Sequence, residues 1–215
     1  MPSKQRINYV TSSAYKQEEN SVFVASAAFS DGALVKDLFD FQFRGLPIAE
    51  MLVVDLRVMV QSEVTNAYGQ IKVPCIVEHA GLIFDGYDAE GYPGGLTKPM
   101  WDTLGDRFLQ ETHSAGRRAT ARAVVAYCDG MGVKTFVGER KGTLADKPRG
   151  SRHFYWDTVF VPDDPSGRAN GRTYAEIVDD ATLGLQHKVE LSQSSAAMML
   201  FLEHLRKEGP SKLWR

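Results

Sequence analysis

Two hydrophobic periods alternate along this chain, and the switches between them mark out its elements. Ile7 to Thr11 reads as a short strand that falls into Ser12 and Ser13. From Ala14, AYKQEENSVFVASAAF predicts a helix capped by Ser12 or Ser13, with Glu18 and Glu19 in its early turns, where the helix dipole favours negative charge. Leu38 to Phe43, LFDFQF, alternates as a strand. A long helix is predicted over residues 49–68, opened by Glu50, apolar at Met51, Val54, Val58, Val64 and Tyr68, and ended by Gly69. VPCIVE, 73–78, is a short apolar strand ending on an acidic residue, the pattern of a buried strand that delivers polar groups at its C-terminal end.

FDGYDAEGYPGG, 84–95, must be a loop, and helical signal resumes over Lys98 to Leu109. The stretch THSAGRR, 112–118, is the best place for a hinge. ATARAVVAYC (119–128) and VKTFVGERKG (133–142) flank the turn DGMG and predict an antiparallel hairpin. Residues 147–171 read as loop around a short strand at Thr158 to Val161, and Lys188 to Lys207 as a last helix. No repeat, low-complexity segment or long linker divides the pattern. The expectation is one mixed α/β domain over residues 1–215.

Composition narrows this picture only slightly. A 43% hydrophobic and 24% charged chain is that of a soluble globular protein. With 25 basic and 27 acidic residues there is no general pull towards nucleic acid. Cys75 and Cys128 sit in apolar runs, which predicts buried thiols rather than a disulfide framework or zinc site. No run approaches the roughly 18 apolar residues of a membrane span, and MPSKQR leads into no secretory-type segment. The cytoplasm is the expected location.

Several side chains could carry chemistry. Lys16 follows a Ser-rich turn, where the free N–H groups of a helix start welcome phosphate and a lysine adds a point charge; alone, it reads first as a solvated helix residue. No Walker A spacing occurs. Glu50 opens the long helix, Glu78 ends VPCIVE and Asp157 sits in FYWDTVF; carboxylates at strand ends or beside Gly-rich loops suit Mg²⁺, although Glu50 could serve the helix dipole and Asp157 a turn. His79 could be a base, a donor to phosphate, or a polar residue at a strand end. Lys98, Arg149, Arg152 and Lys188 form a basic set. Phe154, Tyr155 and Trp156 offer a stacking face for an anionic, ring-bearing ligand, or belong to the core.

The order of these segments resembles the Ham1-type purine nucleoside triphosphate pyrophosphatases, also called inosine triphosphatases. Their Thr-x-Asn-x-x-Lys turn corresponds to Thr11-Ser12-Ser13-Ala14-Tyr15-Lys16, and their central acidic pair before a Gly-Leu run to VPCIVEHAGLIFD, with Glu78 then His79. EGYPGGLTKPMWDTLG matches their Gly/Pro loop and brings Lys98. Pro148-Arg149-Gly150 and Phe154-Tyr155-Trp156-Asp157 match two later segments. VFVPDD and TYAEI follow in order, and Lys188 to Ser194 stands at the family's Lys-Asn-x-x-Ser-His-Arg. The similarity spans roughly residues 7 to 205.

This resemblance implies an elongated α/β fold with a central mixed twisted sheet, flanking helices, two lobes around a nucleotide cleft, and a homodimer. It implies hydrolysis of the α–β phosphoanhydride of an inosine, xanthosine or related triphosphate, ribo or deoxy, to monophosphate and pyrophosphate, with Mg²⁺ or Mn²⁺. Glu50 and Glu78 would serve the metal. Lys16, Lys98 and Lys188 would hold phosphates beside Thr11, Ser13 and Arg149. Phe154, Tyr155, Trp156, Asp157, Gln193 and Ser194 would shape the base pocket. The departures fall on chemistry: Ser13 replaces Asn, His79 an Asp, Tyr155 a Gly, and Gln193-Ser194 a His-Arg pair. A neutral imidazole at His79 can still act as a base, so Glu78, His79 and Lys16 are the expected catalytic set, with altered specificity. The competing expectations are a nucleotide enzyme breaking another bond, such as the N-glycosidic one, and a non-catalytic nucleotide-binding relative.

Overall fold

A computed structural model describes residues 4–151 and 154–209. Its frame is a sheet in the order β2-β1-β3-β4-β5-β6, built from β1 (Gln5–Val10), β2 (Phe39–Arg44), β3 (Cys75–Phe84), β4 (Arg118–Cys128), β5 (Val133–Leu144) and β6 (Phe160–Pro162). β1 runs parallel to β2 and β3, while β3 to β6 pair antiparallel. Around it lie α1 (Ala14–Ser26), α2 (Val35–Leu38), α3 (Leu56–Ile71), α4 (Thr97–Leu104), α5 (Phe108–Glu111), α6 (Tyr174–Asp179), α7 (Gly184–Leu191) and α8 (Gln193–Glu208). The mixed α/β expectation holds. Cys75 and Cys128 are buried free thiols, facing each other across β3 and β4. No helix among the described residues is long and apolar enough to cross a membrane.

Strand alternation sorts the two faces of the sheet. Cys75 and Val77 of β3 join Val10, Val124 and Ala126 beneath Leu56, Met59, Val60, Val64 and Ala67 of α3. Ile76 joins Ile7, Tyr9, Ala123 and Val125 on the other face, under Phe23 of α1 and Met198, Phe201, Leu202 and Leu205 of α8. Fully buried side chains such as Phe201 and Leu202 each contribute about 1.5–3 kcal/mol. A third cluster gathers Phe84, Phe108, Trp156, Phe160 and Tyr174.

Several boundaries differ from the sequence reading. The long helix begins at Leu56, because Asp55 caps it by accepting from the N–H groups of Arg57 (2.7 Å) and Val58 (3.4 Å). Glu50 therefore lies in the irregular segment before it. The helix also runs past Gly69 and ends on Lys72, which takes the left-handed cap conformation at φ 56°. Its buried stripe is Leu56, Met59, Val60, Glu63, Val64 and Ala67, and Val58 is exposed.

β3 does not stop at Glu78. Pairing with β4 continues from Cys75↔Cys128 to Phe84↔Ala119, so Glu78 and His79 sit mid-strand. The helix expected at 98–109 is broken by Gly105, whose φ of 54° caps α4 before a 3₁₀ turn leads into α5. The strand expected at 158–161 is displaced to β6 by a 3₁₀ turn over Tyr155–Thr158. The last helix is two helices. Ser192 is extended (φ −71°, ψ 134°) and its hydroxyl accepts from the N–H groups of Ser194 and Ser195, so Lys188 closes α7 rather than opening α8. Gly138 allows that break to dock on β5, since a Cβ there would lie 2.1 Å from the Gln193 carbonyl oxygen.

Candidate active site

The turn after β1 folds as its sequence demands. Ser13 caps α1, its hydroxyl accepting from Lys16 N–H (3.4 Å), and the Thr11 hydroxyl accepts from Ser13 N–H (3.2 Å). Thr11 to Lys16 line one wall of a cleft of about 410 Å³, whose other walls include Glu50, Glu63, Glu78, His79, Lys98, Phe154, Tyr155 and Trp156. Lys98 meets Glu50 at 3.2 Å at the partly exposed edge of this cleft and lies 5.7 Å from the Tyr155 ring centre.

Glu78 and His79 point to opposite faces of the sheet, as neighbours on a strand must. Glu78, on the α1/α8 side, is buried and fully engaged. Its Oε2 accepts from the Tyr9 hydroxyl (2.9 Å) and pairs with Lys16 Nζ (3.1 Å), and its Oε1 accepts from Ser194 Oγ (3.0 Å). Lys16 also donates to the Glu78 carbonyl. Burial alone would raise the Glu78 carboxyl, but Lys16, His79 and the Tyr9 hydrogen bond more than reverse that and hold it below its ordinary value. Burial and the adjacent Glu78 charge push Tyr9 up, so it stays a neutral donor.

His79 turns to α3, where Nε2 meets Glu63 Oε2 at 2.8 Å. Sequence reasoning missed Glu63. The available signal was its spacing, three and four residues from Val60 and Met59, which places a carboxylate inside an apolar stripe.

Behind Lys16 and Glu78 lies a smaller pocket of about 30 Å³, lined among others by Tyr9, Glu19, Asn20, Phe154, Asp157, Lys188, Gln193 and Ser194. Lys188 is its centre: buried, hydrogen-bonded to Glu19, paired with Asp157 at 2.5 Å, and 5.3 Å from the Phe154 ring centre. Burial would lower its ammonium, yet Asp157 and Glu19 outweigh that and raise it. Gln193 lies within hydrogen-bond reach of the Tyr174 hydroxyl (3.1 Å). Glu19 and Tyr9 were also missed from sequence.

Not every candidate converges. Arg149 binds the Gly171 carbonyl (2.8 Å) and approaches Glu176 (3.4 Å), fastening its loop to α6 away from both pockets. Trp156 only edges the cleft, since it is buried against Phe160 and Tyr174. Arg152 lies outside the described residues. Among the described residues, no group of three or more His, Cys, Asp or Glu side chains is placed to hold a metal by itself. A cation carried on a polyphosphate needs only one or two protein carboxylates; Glu50 stands at the cleft edge, where a cation would have to displace Lys98 from both of its oxygens. On Glu78, a cation would have to displace the Lys16 ammonium.

Comparison with known proteins gives this geometry its family. Residues 7–203 match the Ham1 family. The chain belongs to it. A dITP/XTP pyrophosphatase of Hyperthermus butylicus is 33% identical over 149 residues, 68% of this chain and 72% of that protein. The inosine triphosphate pyrophosphatase of Kluyveromyces lactis is 29% identical over 96% of this chain and 98% of its own length. A solved Ham1 protein from Coxiella burnetii superposes with a TM-score of 0.67 at 19% identity, covering 94% of this chain and 99% of its own, and so shares the fold.

In this Ham1 chain the unusual residues have visible structural consequences. Tyr155, which the resemblance expects as Gly, adopts a left-handed φ of 36°, a conformation that glycine takes without cost. Ser13 still caps its helix. Ser194, which the resemblance expects as arginine, donates to Glu78.

Proposed function

We propose that this protein is a nucleoside triphosphate pyrophosphatase that cleaves the α–β phosphoanhydride of a purine triphosphate, releasing monophosphate and pyrophosphate. One observation carries the reading: a helix N-terminus, Lys16, Lys98, Glu50 and His79 border one cleft in a Ham1 chain whose relatives are named for dITP, XTP and inosine triphosphate pyrophosphatase activity. The triphosphate lies along Thr11 to Lys16 and Lys98, where N–H groups and ammonium charge meet its oxygens. Mg²⁺ or Mn²⁺ would be held by Glu50 in exchange for Lys98 and would offset the phosphate charge. Glu78 is assigned to Lys16, whose ammonium it holds at the junction of the two pockets.

Water attacks the α-phosphorus. The new P–O bond forms as the bond to the bridging oxygen breaks, pyrophosphate leaves, and the water proton passes to His79. The base is directed to the pocket of Phe154, Asp157, Lys188 and Gln193. Its present size of about 30 Å³ holds no more than a water or two, so a base enters only if Phe154 and the Lys16 side chain swing aside. The Lys188 ammonium, a pure donor, suits a keto purine better than an amino one. The assembly is a homodimer in the cytoplasm, and the exposed apolar hollow of Leu52, Leu96, Met100 and Leu104 suits a second copy. Product analysis on a panel of ribo and deoxy triphosphates tests the reading: monophosphate with pyrophosphate supports it, and free base as the only product replaces it with N-glycosidic chemistry.

A further inference from the structure

We propose that Glu63 is a positioning residue that presents His79 to the attacking water in one tautomer, an inference that rests on the pyrophosphatase reading above. Glu63 is 2% exposed and occupies the apolar stripe of α3 between Met59, Val60, Val64 and Ala67. A carboxylate there is costly unless paired, and its protein partner in that stripe is His79. The 2.8 Å contact from His79 Nε2 to Glu63 Oε2 suits a carboxyl oxygen accepting the ring's Nε2–H. In that tautomer the lone pair is on Nδ1. His79 lines the cleft with 15% of its side chain exposed, and among the described residues no protein hydrogen bond to Nδ1 competes for that lone pair.

A second observation points the same way. Glu63 Oε1 is buried and has no hydrogen-bond partner among the described residues, while Glu63 itself borders the cleft. A residue present only for packing would leave no such acceptor; one that serves a hydrated site has a use for it. Glu63 and His79 therefore form a base-and-orienter pair spanning α3 and β3, in which Glu63 touches no reacting atom and acts through the imidazole.

The test combines spectroscopy with kinetics. Protein labelled with ¹⁵N-histidine, its His79 signals assigned with His79→Asn, should show the Nε2–H tautomer under the assay conditions, and Glu63→Gln should shift the ring towards the other tautomer. Glu63→Gln and the apolar Glu63→Met should each lower kcat by about tenfold or more with KM changed less than about threefold, while Glu63→Met folds with undiminished Tm. Full pyrophosphate release in both variants, an Nδ1–H or doubly protonated ring in the wild type, or a tautomer indifferent to Glu63→Gln overturns the proposal and leaves the pyrophosphatase reading standing. If the wild type releases no pyrophosphate although the tautomer is as stated, that reading falls and takes the role towards water with it, and only the hold of Glu63 on the His79 ring stands.

Discussion

Replacing Lys188 by methionine should separate the architecture of the inner pocket from its chemistry. The side chain is 4% exposed and its ammonium serves Asp157, 5% exposed, and Glu19, 18% exposed. Methionine keeps most of the apolar stem and removes the charge. Two carboxylates then face a low-dielectric pocket without the cation that offset their desolvation. Removing one partner of a buried ion pair costs about 3–5 kcal/mol. For a chain of this size each kcal/mol moves Tm by about 2–4 °C, which gives a loss of roughly 6–20 °C. Thermal and urea unfolding should agree, with a lower urea midpoint at unchanged slope. Adding Asp157→Asn should restore part of the loss, because a neutral amide needs no counter-charge. A single-variant loss under about 2 °C, or a double variant no better than the single, would refute the claim that this network is dry and mutually dependent.

Other consequences are smaller but specific. The folded Glu78 carboxyl lies below its unfolded value, so its stabilisation is present above the unfolded pKa of about 4.3 and fades as pH falls through the folded value; the Tm gap between wild type and Glu78→Gln should close over that acidic range. Lys72→Gly should raise stability by about 0.5–1 kcal/mol, since glycine tolerates the left-handed cap; a loss in chemical denaturation would contradict the cap assignment. Gly138→Ala should cost about 1–3 kcal/mol and weaken nucleotide binding by lifting the start of α8 off β5, and an unchanged Tm would refute that close approach.

The fold was largely legible because β2 alternates, β1 and β4 carry apolar runs, and the DGMG turn fixes a hairpin register. The Thr11 to Lys16 turn and the buried thiols were legible for similar local reasons. What sequence missed was tertiary. Nothing in VPCIVE tells that β4 continues to pair beyond Glu78, nor that Ser192 breaks a helix its neighbours favour. Glu50 looked like a helix start because acidic residues favour that position, but Asp55 caps better. Glu63 was hidden because the expected apolar stripe ran through Met51, Val54, Val58, Val64 and Tyr68, of which only Val64 lies in the buried stripe of α3. Glu19 and Tyr9 join the site only when α7 and β3 approach them, and Arg149, plausible by composition, was drawn instead to α6.

The central claim is tested most directly by incubating the purified protein with Mg²⁺ and ITP, XTP, their deoxy forms and the common triphosphates, and resolving products by chromatography and mass. The account predicts stoichiometric monophosphate and pyrophosphate, fastest for a keto purine, and lost in His79→Asn. Orthophosphate with diphosphate, free base, or no turnover of any triphosphate by folded protein would contradict it.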